Sequence, residues 1–188
     1  MDAAAFIQFA RALEKLQCGR YSSGRGEMRL FRPVPRISLA QLGDAAGLAD
    51  LYRLAWAPLR GRVDDRMIAD QAPSEEEVSS WFRGGFEVYR ATLDGQLVGA
   101  VRCSFPTGTC LMDRLAVLPE SRGRGFGKFL AEHALSRAKR AGVSKVWLYA
   151  SPKLETAVNL FDALGFRESG RIQAPYWGER AVLMEMTL

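Results

Sequence analysis

From Ala116 the chain reads "AVLPESRGRGFGKFL": an apolar stretch closed by Pro119, then Arg122 and Arg124 alternating with Gly123, Gly125 and Gly127, then apolar residues again. Residues of these types at the start of a helix can hold an anion. The first four N–H groups of a helix have no partner within it, and the aligned peptide dipoles leave partial positive charge at that end. The three glycines carry no β-carbon to keep a phosphate off the backbone, and Arg122, Arg124 and Lys128 can offset its charge. A charge-assisted hydrogen bond contributes roughly 1.5–3 kcal/mol and the helix dipole about 0.3–1 kcal/mol, so converging amides outweigh the dipole. The ligand expected from this stretch is a pyrophosphate.

Three other phosphate motifs fail on the same residues. A Walker A loop needs glycine at Arg122 and a hydroxyl residue at Phe129, and a dinucleotide fingerprint needs glycine at Lys128. An RGG-type RNA-binding tract would be long and disordered, whereas this one lies between an apolar strand and an apolar helix. The three cysteines, Cys18, Cys103 and Cys110, and the one histidine, His133, have no metal-ligand spacing, so no metal site is expected.

The elements that must position the loop follow from periodicity. Phe126, Leu130, Ala134, Ala138 and Ala141 predict a helix after Gly125 that stops at Gly142. Before it, "FEVYRATLDGQLVGAVRCSF" holds two strands joined at Asp94-Gly95, and a turn at Pro106 to Thr109 leads to "CLMDRLAVL", giving a three-stranded meander. After it, "VSKVWLYA" completes a βαβ unit with parallel neighbours. A second helix is expected from Ser151-Pro152, with Leu154, Ala157, Phe161 and Leu164 on one face and Gly165 at its end. "FRESGRI" and "RAVLMEMTL" supply two closing strands. Upstream, "VPRISLAQ" predicts a first strand, a helix runs through Leu48, Leu51 and Leu54, and another follows Ser74. Residues Pro58 to Pro73 between those helices read as irregular. The fold class is α/β with a mixed, mostly antiparallel twisted sheet.

Two domain-level segments are expected: 1–33, an amphipathic helix (Phe6, Phe9, Ala10, Leu13, Leu16) with a glycine-containing linker, and 34–188, the compact domain. The chain has 188 residues, 48% hydrophobic and 25% charged, with a net charge of +5, which is ordinary for a folded soluble domain and favours anionic ligands. Charge alone is a weak argument for nucleic acid, and no apolar run approaches the ~20 residues of a membrane span. A reducing, cytoplasmic location is expected, with no nucleic-acid or membrane partner.

With its flanks, "LAVLPESRGRGFGKFL" resembles the acyl-CoA-binding motif of the GNAT acyltransferase superfamily, with Arg122, Gly125 and Gly127 at its three defining positions. The likeness runs from about Pro35 to the C-terminus. It implies a GNAT-like sheet with a splayed parallel strand pair, and acetyl-CoA as cosubstrate. The pantetheine arm would lie on the main chain of Leu115, Ala116 and Val117, and the pyrophosphate on the amides of Gly123, Arg124, Gly125, Phe126, Gly127 and Lys128, beside Arg122. It implies N-acetyl transfer directly to a primary amine, of a small molecule or else a protein, and is consistent with a homodimer.

Such transfer needs a neutral amine, an oxyanion donor and a proton for the leaving thiolate. The family's tyrosine acid corresponds to Phe161 and its asparagine to Leu154. Phe161 is therefore expected beside the pantetheine arm, and Tyr149 and Tyr176 are the alternative hydroxyls. Asp113 and Glu87 are the candidate bases, and the backbone N–H near Val117 is the candidate oxyanion donor. Asp64, Asp65, Asp70 and Trp177 are weaker acceptor-side candidates. The loss of both polar family positions leaves a second reading open, a non-catalytic acyl-CoA-binding or sensing module.

Overall fold

The computed structural model describes residues 34–174 and 177–188. The expected N-terminal helix and linker, and Tyr176, lie outside the described residues. Seven strands form one sheet: β1 (Arg36–Leu39), β2 (Glu87–Leu93), β3 (Gln96–Ser104), β4 (Thr109–Val117), β5 (Lys145–Ala150), β6 (Arg167–Ala174) and β7 (Glu179–Thr187). Their order is β1-β2-β3-β4-β5-β7-β6, antiparallel throughout except for β4 beside β5. The β2–β3 hairpin turns through Asp94 and Gly95, both at positive φ (50° and 80°), the geometry that matches strand twist.

Helices cover both faces. On one, α1 (Ala45–Trp56), α2 (Asp65–Gln71) and α3 (Glu75–Arg83) bury Leu48, Tyr52, Val78 and Trp81 against Ala100 and Ala116. On the other, α4 (Phe126–Arg140) and α5 (Glu155–Ala163) bury Leu130, Ala134 and Phe161 against Val101, Met112 and Val146. In α1 the buried stripe is Leu48, Leu51, Tyr52 and Ala55, at helical spacing. Leu54 falls off that stripe and is exposed, contrary to the expected face.

Two expectations are corrected. Helix α2 occupies part of the stretch read as irregular, its N-terminus capped by Asp64, whose Oδ1 accepts from the Arg66 amide at 2.9 Å. Helix α5 begins at Glu155 rather than at Ser151-Pro152. The Ser151 carbonyl instead accepts from the Leu154 amide at 3.0 Å, and its hydroxyl accepts from the Lys153 amide at 3.3 Å, so Ser151 caps a turn before the helix.

The sheet is interrupted where it matters. β4 and β5 pair only at Thr109↔Lys145, Cys110↔Val146 and Leu111↔Trp147, and from there to Val117 and Ala150 they run without pairing. On its other edge β4 carries one extra residue against β3: Ala100 faces Ala116 while Arg102 faces Asp113. The bulge contains Arg114, at φ +50°, a region that non-glycine residues rarely occupy.

Candidate active site

Where β4 and β5 part, a cleft of about 580 Å³ opens between Leu115 and Val117 on β4, the loop 121–128, and Lys153 to Leu160. The loop passes from a 3₁₀ turn (Pro119–Ser121) into α4 through Gly123 (φ +72°) and Gly125 (φ +86°). Gly125 is the N-cap and offers no side-chain cap to the helix. Among the described residues, the main-chain amides of residues 123–128 make no hydrogen bond; the ladder begins with Phe129 N–H to Gly125 O at 3.1 Å. A β-carbon built on Gly123 would meet nothing within 4 Å. The result is an open cradle of unpaired donors at a helix N-terminus, which fits a pyrophosphate.

The β4 edge supplies the rest of the cleft. The Leu118 amide donates to Val98 O at 3.0 Å on the β3 side, so by strand alternation the amides of Val117 and Leu115 face the opposite edge, toward the cleft. Ala116 faces Ala100 across the β3–β4 ladder and its side chain is buried.

The loop's side chains differ from the expectation. Arg122 lines the cleft, but its guanidinium is fastened to two carbonyls, donating through Nε to Val117 O (3.1 Å) and through Nη2 to Ala55 O (2.5 Å). Burial pulls its ionisation below the usual arginine value. Arg124 does not line the cleft; its guanidinium lies 4.8 Å from the Phe126 ring centre. Lys128 does line it, with Glu132 as a distant partner at 3.8 Å. Two cations that the sequence reading missed, Arg62 and Lys153, stand on the cleft's other walls.

A second cavity, of about 270 Å³, adjoins the cleft and shares Trp56, Leu115, Leu154 and Ala157 with it. Phe161 lines this cavity rather than the cleft, with its ring 5.6 Å from that of Phe166. Asp113, Tyr149, Asp70 and Trp177 also line it. Asp113 accepts both arms of Arg102, Nε to Oδ1 at 2.8 Å and Nη2 to Oδ2 at 2.6 Å, and that guanidinium lies 4.4 Å from the Trp81 and Phe86 ring centres. Asp70 accepts from Trp177 Nε1 at 3.0 Å and from Arg114 Nη2 at 3.2 Å. Tyr52, fully buried below, has a hydroxyl with no hydrogen-bond partner among the described residues; desolvation first, then Asp113, pushes its ionisation well above the usual tyrosine range.

Glu87 is not brought to either cavity. It shares a sheet face with Tyr89, on the α4 side, where its carboxylate accepts from the Tyr89 hydroxyl and from Arg137 Nη2 (2.6 Å). The parity of β2 sends Val88, not Glu87, toward Arg102 and Asp113. Among the described residues, no cluster of His, Cys, Asp or Glu could hold a metal ion, and no helix is long and apolar enough to cross a membrane.

Residues 48–166 match the acetyltransferase (GNAT) family, and the chain belongs to it. It is 29% identical over 100 residues to the streptothricin acetyltransferase of Streptomyces lavendulae, covering 50% of this chain and 53% of that protein. It is 25% identical over 81 residues to the ribosomal protein bS18-alanine N-acetyltransferase of Escherichia coli K12, covering 43% and 55%. The chain thus spans about half the length of these relatives. Its fold superposes on the PaiA N-acetyltransferase of Thermoplasma acidophilum, solved in complex with coenzyme A, with a TM-score of 0.70 at 18% identity over 82% of this chain and 99% of that one.

Proposed function

We propose that this chain is an N-acetyltransferase that moves an acetyl group from acetyl-CoA directly to a primary amine, with no metal. The observation that carries this reading is the run of unpaired amides at 123–128, at a cleft walled by the end of β4 that no longer pairs with β5. Amides of the loop would hold the pyrophosphate, with Lys128 beside them, and the exposed edge of Leu115 and Val117 would hold the pantetheine arm. Arg122 acts by fixing the loop to α1 and β4. Acetyl-CoA supplies the acetyl group as a thioester, and the Val117 amide is the donor assigned to its carbonyl.

The acceptor amine enters the 270 Å³ cavity, a volume suited to a small molecule or a single residue rather than an extended peptide. Its walls are aromatic (Trp56, Tyr149, Phe161, Trp177), and each of its carboxylates Asp70 and Asp113 is matched by an arginine. One relative is named for streptothricin and another for an alanine of ribosomal protein bS18; the size of the cavity favours a small amine here, and a protein N-terminus is the alternative acceptor. Tyr149 lines the cavity and is the hydroxyl assigned to protonate the leaving thiolate, and Asp113 has both oxygens engaged by Arg102. The catalytic unit is assigned to residues 34–188 and its location to the cytoplasm, and a homodimer is testable by sedimentation.

Calorimetry with coenzyme A, followed by thiol release from acetyl-CoA across a panel of amines, tests the reading. Binding with turnover is expected. Tight binding without turnover favours the second reading, a non-catalytic acyl-CoA module, which rests on Phe161 and Leu154 in place of the family's polar residues. Absence of binding removes both.

A further inference from the structure

Three side chains link the two cavities. Ser151, fully buried, lines the acceptor cavity, and its hydroxyl donates to Glu179 Oε1 at 2.8 Å. The other carboxylate oxygen, Oε2, is buried, makes no hydrogen bond among the described residues, and faces the ammonium of Lys153 at 2.5 Å. Lys153 lines the cofactor cleft and has a side chain 53% exposed, whereas that of Glu179 is 9% exposed. One end of the chain of contacts is buried and the other is half-exposed. Asp64 and Arg66, paired with each other at 3.0 Å, lie near this corner, where Asp64 feels the Lys153 charge, and Arg62, Arg122, Lys128 and Glu155 line the same cleft as Lys153.

We propose that Lys153 exchanges partners on cofactor binding, leaving Glu179 for the anionic coenzyme, and that the released carboxylate then takes a proton from the acceptor ammonium through Ser151. This rests on the acetyltransferase reading above. With the ammonium of Lys153 gone, Glu179 Oε2 is a buried carboxylate oxygen without a counter-charge or hydrogen bond, a situation relieved by taking up a proton. The step balances. An N–H bond of the acceptor ammonium breaks as its proton bonds to Ser151 Oγ, and the original hydroxyl proton of Ser151 passes to Glu179 Oε1. The acceptor becomes a neutral amine, Ser151 is unchanged, and Glu179 holds the proton until Lys153 returns and displaces it to solvent. The exchange confines formation of the nucleophile to the cofactor-loaded enzyme.

The test uses the full chain and coenzyme A titrated by calorimetry, with kcat for the amine measured beside it and thermal melts as a check on folding. In Glu179→Gln, Lys153 has no carboxylate to leave, so coenzyme A is expected to bind at least about two- to fivefold more tightly, the worth of an ion pair at a surface, while kcat falls ~10²-fold or more. Lys153→Met weakens binding, and adding Glu179→Gln to it restores nothing. Ser151→Ala lowers kcat at unchanged coenzyme affinity, and Ser151→Thr, which keeps the hydroxyl, retains most of the rate. Wild type that binds coenzyme A together with a folded Glu179→Gln that binds it no more tightly overturns the exchange alone. If Glu179→Gln does not fold, Lys153→Met decides, and wild-type affinity in it overturns the exchange. Wild type that does not bind coenzyme A overturns the acetyltransferase reading itself.

Discussion

Arg114, held at positive φ in the β4 bulge, reaches across the acceptor cavity to Asp70 at the end of α2, donating to its main-chain carbonyl and, at 3.2 Å, to Oδ1. The same carboxylate accepts from Trp177. A strained strand residue is thereby anchored to both walls of the cavity, and the anchor fixes the turn of chain that presents Leu115 and Val117. Arg114→Gly keeps access to positive φ but loses the anchor. The expected result is kcat lowered by about 10²-fold, the cost of misplacing reacting groups by an ångström, together with weaker coenzyme A binding, because Leu115 and Val117 also line the cofactor cleft, measured by steady-state kinetics and calorimetry.

Gly125 caps α4 at φ +86°, yet a β-carbon there would meet only Phe129, at 3.9 Å. Space is not the constraint; conformation is. Gly125→Ala is expected to cost roughly 1–2 kcal/mol of stability as well as to weaken coenzyme A binding, seen in denaturant unfolding and calorimetry. A larger side chain at this position therefore does not leave the fold untouched.

Gly99 tests the opposite case. Its φ is ordinary, but an added β-carbon would lie 2.9 Å from the Ala116 carbonyl oxygen and 3.0 Å from Leu130 Cδ1. Gly99→Ala must push β4 or α4 away, and a loss of about 1–3 kcal/mol is expected in thermal or urea unfolding.

Phe161 presents its ring to the acceptor cavity from the helix position where a hydroxyl is expected by family resemblance. Phe161→Tyr adds a proton donor without altering the ring's packing on Phe166. A rise in kcat, up to ~10-fold and within the range of general acid catalysis, is expected by thiol-release assay, and a fall would place the ring away from the leaving group.

His133 stacks edge-on against Tyr89 at 4.7 Å, and burial first, then Arg140, holds its imidazole below the ordinary value of 6.5. The unfolded chain therefore binds this proton more readily than the folded one. The stability tied to the neutral ring is complete above pH 6.5 and is lost as pH falls through the lower folded value. Between pH 7 and pH 5 the melting temperature of wild type is expected to fall more steeply than that of His133→Gln.

Much of the fold is legible in the sequence. Glycine spacing after an apolar strand marked the turn into α4, and Asp94-Gly95 marked the hairpin, because both depend on local conformation. The bulge left no trace, since its positive φ falls on an arginine rather than a glycine. Helix α2 is too short to show a period, and Pro152 made Ser151 look like a helix cap when it closes a turn. The Ser151–Glu179–Lys153 contacts join residues brought together only by the pairing of β5 with β7. Reading charge alone also overestimated the arginines of the loop, because a side chain's direction is set by carbonyls on distant elements such as Ala55.

β7 lies between β5 and β6 although it follows both in the chain. β5 and β6 have no neighbour in common other than β7, whereas the loop 121–128 and the β4 edge lie wholly upstream of it in the chain. Cutting the chain before residue 179 would thus leave every residue of the loop 121–128 in place while removing Glu179 and the strand that β5 and β6 share.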